Sequence, residues 1–325
     1  MDPTLFIQLA GGLVYLLFGG DLLVRGAVAL ARRYHVSPMV IALTVVAFGT
    51  SLPELVVVVQ ASLAGYPGLV FGNVVGSNIA NVLLVLGAAA VVYPMVHGEH
   101  SVRRDCLVMV AATILLIVLC ASGTLDVLSG AILLGGLIAV NALTAKEAAT
   151  AYREASLKAS LEWVLGLPAN PGTIALFIAL GAIGLPVGAN LVVDASVQIA
   201  SHFGVSDAVI GLTILAVGTS LPELATAVVA AVQKRTDVAI GTVVGSNTFN
   251  ILMILGVGAV ISPSPIAVPS GFFTLDFPVM LGAAVLLSIF VWLRRPIGRT
   301  VGIGFLVGYV VYLVTLLLRT GGMAY

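Results

Sequence analysis

The chain has 325 residues, of which 60% are hydrophobic and only 9% charged, with 36 glycines and a formal net charge of zero. That composition excludes a soluble domain with a polar surface, and the neutral balance gives no reason to expect nucleic acid or an acidic partner. The solvent for most of the chain must be lipid: at about 20 apolar residues per crossing there is material for about ten spans and little else.

Hydropathy, broken at charged, Pro and Gly clusters, predicts crossings near residues 4–31, 38–64, 69–93, 104–122, 126–145, 172–201, 207–233, 238–262, 274–293 and 298–319. The start, Met1-Asp2-Pro3-Thr4, lacks a basic region and runs into an apolar stretch longer than a signal h-region, so no cleaved leader is expected. In the first crossing Asp21 and Arg25 are four apart and predict a structural ion pair. His97 and His100 flank Glu99 in a loop and read as a solvated surface, while Cys106 and Cys120 lack ligand spacing and read as packing. Asp126, Asp207 and Asp276 open crossings, where helix capping or interfacial solvation is expected. Residues 146–170, with Lys146, Glu147, Arg153, Glu154, Lys158 and Glu162, form a short helical linker between a first unit at 1–145 and a second at 171–325. Pro186 and Gly188 predict a kink or hinge in the sixth crossing.

Basic residues near span ends stay cytoplasmic, and this sets the orientation. With the N-terminus outside, twelve of the fourteen Lys and Arg residues fall in inner loops, the exceptions being Arg25 within the first span and Arg319 at the outer end of the last. Ten spans then leave both termini outside and the linker in the cytoplasm. With no targeting or regulatory segment in view, a prokaryotic plasma membrane is the expected location.

An internal repeat is visible without gaps. Gly49-Thr50-Ser51-Leu52-Pro53-Glu54 returns as Gly218-Thr219-Ser220-Leu221-Pro222-Glu223, 169 positions later. At the same spacing Gly72-Asn73-Val74-Val75-Gly76-Ser77-Asn78 with Asn81 matches Gly241-Thr242-Val243-Val244-Gly245-Ser246-Asn247 with Asn250. Five crossings per half is odd, so the second half must enter the membrane upside down, the architecture of many secondary transporters. The fold class expected is an all-α integral membrane protein of ten transmembrane helices in two inverted five-helix repeats, with helices 2 and 7 broken.

Each copy of the first phrase puts a carboxylate at membrane depth, where an ionisable group costs several kcal/mol unless paired or wet. Pro53 and Pro222 have no N–H and clash with the carbonyls of Gly49 and Gly218, so both helices must break and free carbonyl oxygens. The half-helices ending near Ala47 and Ala216 aim carbonyls and the negative end of their dipoles at the break. Thr50, Ser51, Thr219 and Ser220 add hydroxyls to Glu54 and Glu223, giving hard oxygen donors suited to Ca²⁺ or alkali ions over zinc or copper. In the second phrase the Gly-x-x-x-Gly pairs read as close helix packing. Ser77 with Asn81, and Ser246 with Asn250, are four apart on one stripe of a helix and can complete a coordination sphere.

At these residues the chain resembles the calcium/cation antiporter superfamily, and within it the short prokaryotic sodium/calcium exchanger family, whose two alpha-repeats carry the same doubled motif. The resemblance implies a ten-helix exchanger whose first and sixth helices slide across a central core, with no cofactor, no enzymatic activity and no protein partner. It implies Glu54 and Glu223 as the central acidic ligands, and Thr50, Ser51, Thr219, Ser220, Ser77 and Ser246 with the carbonyls of Ala47 and Ala216 as the lining of the Ca²⁺ and Na⁺ positions. Asn81 and Asn250 would flank the centre. Some microbial members and the potassium-dependent relatives have an acidic residue where this chain has Asn250, which points away from K⁺ co-transport. A Ca²⁺/H⁺ or other divalent cation antiporter is the alternative. An intramembrane protease would need Ser with His, or paired Asp, at depth; His35, His97, His100 and His202 all fall at span ends.

Overall fold

The computed structural model describes residues 4–34, 38–96, 100–155, 167–168, 170–202 and 216–320. Almost all of them are helical. α1 spans Thr4–Arg33; α2 begins at Pro38–Ile41, passes a π-helical turn at Ala42–Val46 and ends at Ala47–Thr50; α3 is Leu52–Ala64. α4 (Pro67–Val92), α5 (His100–Cys120) and α6 (Val127–Ala155) complete the first half. The second half holds α7 (Pro171–His202), α8 (Ala216–Gly218), α9 (Leu221–Val232), α10 (Thr236–Ile261), α11 (Phe272–Trp292) and α12 (Arg299–Thr320).

Among the described residues seven helices are long and apolar enough to cross a membrane, and α2 with α3, bent by 53° at Ser51, makes an eighth. α5 falls outside that set because Arg103, Arg104 and Asp105 crowd its first turns. The expected seventh crossing is represented by α8 and α9 alone, since residues 203–215, and with them Asp207, lie outside the described residues. The linker begins as a continuation of α6 to Ala155; Lys158 and Glu162 lie outside the described residues.

Burial sorts the helices into layers. In α4 and α10, 78% and 83% of the most apolar window is inside the protein, whereas in α6, α7 and α12 the share is 22%. Those outer helices present Leu128, Ile183 and Leu318, each at least 64% exposed, and such a surface is stable only against hydrocarbon. The centre of the molecule is therefore α4 against α10, held by Val74, Val75, Ile79, Val243 and Val244, all fully buried.

α1 and α7 run along one another on glycine. Gly12, Gly19 and Gly26 recur every seven residues on α1 and meet Gly188, Gly184–Leu185 and Ile178; a Cβ on Gly12 would stand 2.9 Å from the Gly188 carbonyl, and one on Gly188 the same distance from the Gly12 carbonyl. Close backbone approach through small residues is how helices associate in lipid, where burial of apolar surface gives no drive. Pro186 sits inside α7 without ending it. Asp21 accepts from Arg25 Nε at 3.0 Å, the expected pair, and from Gln233 Nε2 at 2.7 Å, tying α1 to the end of α9.

The halves are also joined at their loops. Thr124–Leu125 pairs antiparallel with Ile266–Ala267, and Met95 exchanges two backbone hydrogen bonds of 3.0 Å with Ile297. Asp126 caps α6, accepting from the Ser129 amide at 2.8 Å and its hydroxyl at 2.6 Å, as expected. Asp276 does neither of the things expected of it. It is buried and accepts from Tyr312 Oη at 2.7 Å, because the π-helical turn Phe272–Asp276 rotates it inward toward α12. Cys106 and Cys120 are buried free thiols, in keeping with packing.

Candidate ion-binding site

Two broken helices meet at the centre, each bringing the same residues to its break. The backbone is α-helical to Thr50, Ser51 leaves the helix at φ −87°, ψ 6°, and α3 restarts with Pro53 in its first turn beside Glu54. In the other half Ser220 turns at φ −90°, ψ 5°, ahead of Pro222 and Glu223. Both serines occupy the sparsely populated bridge region, and the near-identity of the angles follows from the identical sequence around each proline. The first half-helix ends at Thr50, three residues beyond the expected Ala47. The proline ring clashes with the carbonyl four residues back, Gly49, so the turn before it survives.

That surviving turn occupies the Ala47 carbonyl, which accepts from the Ser51 amide at 3.0 Å and from Thr50 Oγ1 at 3.3 Å. In the second half the Ser220 amide donates to Val217 O at 3.0 Å, and Ala216 is helical, within α8. Thr50, Ser51, Glu54, Ser77, Asn81, Ser220, Glu223, Ser246 and Asn250 are all 2% exposed or less; Thr219 is partly buried. Ser51 Oγ donates to Glu223 Oε1 at 3.3 Å, Thr50 Oγ1 and Ser246 Oγ touch at 3.5 Å, and both of those hydroxyls bear on Glu223. Glu54 and Glu223 act on one another electrostatically. One buried cluster therefore holds groups from α2, α3, α9 and α10.

The cluster is short of donors. Among the described residues, both carboxylate oxygens of Glu54, Oε2 of Glu223, Oγ of Ser77 and Ser220, and Oδ1 of Asn81 and Asn250 are buried without a hydrogen-bond partner. Buried polar atoms in folded proteins are satisfied with few exceptions. Unsatisfied buried oxygens beside two like charges are costly as they stand, and a hard cation, which takes six to eight oxygens in the case of Ca²⁺, is the kind of ligand such donors suit.

A second layer of amides lies behind the cluster. Asn78 Nδ2 donates to Asn247 O at 3.3 Å and Asn247 Nδ2 to Asn78 O at 3.2 Å; Asn81 Nδ2 donates to Asn247 Oδ1 and Asn250 Nδ2 to Asn78 Oδ1, each at 3.0 Å. Every bond has a counterpart 169 residues away, so α4 and α10 meet self-complementarily, as the two sides of a twofold interface do. Both helices pass into π-helical turns at the flanking amides, Asn81–Leu86 and Asn250–Leu255. Asn78 and Asn247 were not among the expected site residues, although the repeated Gly-Ser-Asn phrase carries them. What hid them is that their partners lie across the repeat.

The chain matches the family model described as sodium/calcium exchanger protein over residues 4–145 and 173–318. It is 34% identical over 344 residues to the sodium/calcium exchanger MaX1 of Methanosarcina acetivorans, with 96% of this chain and 98% of that one covered. To the inner membrane protein YrbG of Escherichia coli K12 it is 35% identical over 308 residues, covering 94% of each. The fold superposes on that of the sodium-calcium exchanger NCX_Mj, soaked with 2.5 mM Na⁺ and 0.1 mM Ca²⁺, with a TM-score of 0.80, 31% identity, and 97% of this chain and 99% of that chain covered. With both halves matched and nearly all of the length covered, the chain is a multi-pass membrane protein and belongs to the sodium/calcium exchanger family.

Proposed function

We propose that this protein is a secondary antiporter that exchanges Na⁺ for Ca²⁺ by alternating access, the two ions competing for a midplane site built on Glu54 and Glu223. The observation that carries the reading is a pair of buried carboxylates that act on each other, together with buried oxygens of the repeated motifs, on Ser77, Asn81, Ser220 and Asn250, that have no hydrogen-bond partner among the described residues. Thr50, Ser51, Thr219 and Ser246 complete the lining, with the Ala47 and Ala216 carbonyls behind them. Ten crossings arranged as inverted repeats, 1–145 and 171–325 about a cytoplasmic linker at 146–170, with both termini outside, are the architecture we assign. The 169-residue exchange of contacts at the amide layer supports that assignment.

Coupling follows from charge. An empty pair of carboxylates in a closed, dry cavity is too costly to pass between outward-open and inward-open states, whereas a compensated pair is not. Ca²⁺ neutralises the pair. Three Na⁺ would leave one positive charge in excess, worth about 2.3 kcal/mol per 100 mV of membrane potential. Radiolabelled Ca²⁺ uptake into proteoliposomes under imposed Na⁺, K⁺ or pH gradients is the test. Uptake against a Ca²⁺ gradient, driven by outward Na⁺ alone and lost in Glu54→Gln and Glu223→Gln, is expected. Uptake driven by pH instead would favour Ca²⁺/H⁺ antiport, and Na⁺-driven flux surviving in both variants would refute the site.

A further inference from the structure

We infer that Asn78 and Asn247 are positioning residues that fix which end of the Asn81 and Asn250 amides faces the cation. The inference rests on the cation-site reading above and deepens it. An amide side chain offers an acceptor at one end and two donors at the other, and the two ends have nearly the same shape. For an asparagine flanking a cation this difference is decisive, since a half-turn about χ2 replaces a coordinating oxygen by N–H groups pointing at the ion.

The orientation is set by two backbone carbonyls. Asn247 O can only accept, so the end of Asn78 lying 3.3 Å from it must be the NH₂ group. The Met280 sulfur, 3.8 Å from the same nitrogen, is a weak acceptor and agrees. Asn78 therefore turns its oxygen toward Asn250, which must present NH₂ at 3.0 Å, leaving Asn250 Oδ1 on the far side, buried and unpartnered. The mirror chain runs from Asn78 O through Asn247 Nδ2 at 3.2 Å, with Met109 Sδ at 3.6 Å from the same nitrogen, and from Asn247 Oδ1 to Asn81 Nδ2 at 3.0 Å. It leaves Asn81 Oδ1 buried and unpartnered in the same way. A carbonyl that cannot change its role thus dictates, two hydrogen bonds away, that an oxygen faces the cluster. The four asparagines are each 2% exposed or less.

The test compares each truncation in two backgrounds. Asn78→Ala removes the acceptor that pins Asn250, and the outer partners of metal ligands are worth about 10–100-fold in affinity. The half-saturating Ca²⁺ concentration, read both as Ca²⁺-dependent thermal stabilisation of purified protein and as the KM of Na⁺-driven uptake, should rise by about that factor with little change in maximal rate. In an Asn250→Asp background both ends of the side chain are oxygens and orientation no longer matters. There the added effect of Asn78→Ala should shrink to less than about threefold, within the non-additivity expected of directly coupled residues. Asn247→Ala with and without Asn81→Asp reads the mirror arm and stands in if Asn78→Ala does not fold. An equal loss in both backgrounds, or none in either, would show that these asparagines merely pack and would overturn the inference with the site intact. Wild-type protein that shows no Ca²⁺-dependent stabilisation and no uptake would instead remove the cation site itself.

Discussion

Replacing Glu54 by Gln should make the ion-free protein more resistant to heat while abolishing its response to Ca²⁺. Glu54 is 1% exposed, neither of its carboxylate oxygens has a hydrogen-bond partner, and the charge acting on it is the like charge of Glu223. A buried unsatisfied polar group costs about 1–3 kcal/mol, and a charged one more. A neutral amide of the same shape carries no charge to bury, and a gain of about 2 kcal/mol, inside that range, is expected. Melting temperature moves by about 2–4 °C per kcal/mol in domains of 150–250 residues and by less in a longer chain, so a gain of roughly 3 °C is expected. The wild type should make up the difference on titration, because a ligand at 100 times its Kd contributes about 2.7 kcal/mol. Unfolding can be followed with a thiol-reactive dye, since Cys106 and Cys120 are both buried in the folded protein. Glu223→Gln should gain less, because Ser51 already donates to Glu223 at 3.3 Å. A Glu54→Gln protein that melts below the wild type in ion-free buffer, or keeps the full Ca²⁺ shift, would refute the reasoning.

Gly12→Val should separate α1 from α7, since a Cβ alone would lie 2.8 Å from Val192 Cγ2 and 2.9 Å from the Gly188 carbonyl; overpacking of this kind costs about 1–3 kcal/mol, visible as a lower melting temperature and slower Ca²⁺ uptake. Tyr312→Phe removes the side-chain donor to the buried Asp276 carboxylate, so a loss of about 1–3 kcal/mol is expected by thermal melting with ion affinity unchanged. Asp126→Ala takes away the cap of α6 and should lower the melting temperature in the same assay. Ser51→Ala and Ser220→Ala should move the balance between outward-open and inward-open protein in opposite directions, read as opposite changes in labelling of single cysteines placed on the two faces.

The parts of this protein that depend on near neighbours in the chain were open to sequence reasoning. Apolar block length gave the helices, and a proline beside a glutamate in an apolar run gave the breaks at Ser51 and Ser220, since the steric cause lies within four residues. Long-range contacts were not. Asp276 looks like a capping residue until a π-helical turn points it at Tyr312, 36 residues on, and nothing in the string Phe-Phe-Thr-Leu-Asp announces that turn. The π-helical turns at Asn81–Leu86 and Asn250–Leu255 share an asparagine, two leucines and an otherwise apolar make-up common to membrane helices, so composition could not place them. The roles of Asn78 and Asn247 depend on bonds that span 169 and 172 positions and appear only when α4 and α10 are side by side.

The two halves obey the 169-residue rule at the amide layer and break it at the carboxylates, and the difference has a physical meaning. Amide bonds between α4 and α10 come in matched pairs of 3.0 and 3.0 Å, and of 3.3 and 3.2 Å. One layer away, Ser51 donates to Glu223, but the corresponding Ser220 hydroxyl and the whole Glu54 carboxylate have no hydrogen-bond partner among the described residues. Asp21 is likewise held by Gln233, while the position 169 residues after it is Asn190. A rigid core should keep its symmetry in every state, whereas groups that take turns must lose it in any one of them. On the inverted-repeat reading, exchanging the roles of the halves converts one end state into the other, so the opposite state should make the Ser220–Glu54 bond and release Ser51 from Glu223. The amide layer would then be the fixed axle, and the hydroxyl-carboxylate contacts the part that alternates. Two states related in this way differ in energy only through unduplicated contacts such as Asp21–Gln233, a hydrogen bond to a charged group of the kind worth about 1.5–3 kcal/mol when buried, and less here where Asp21 is partly exposed.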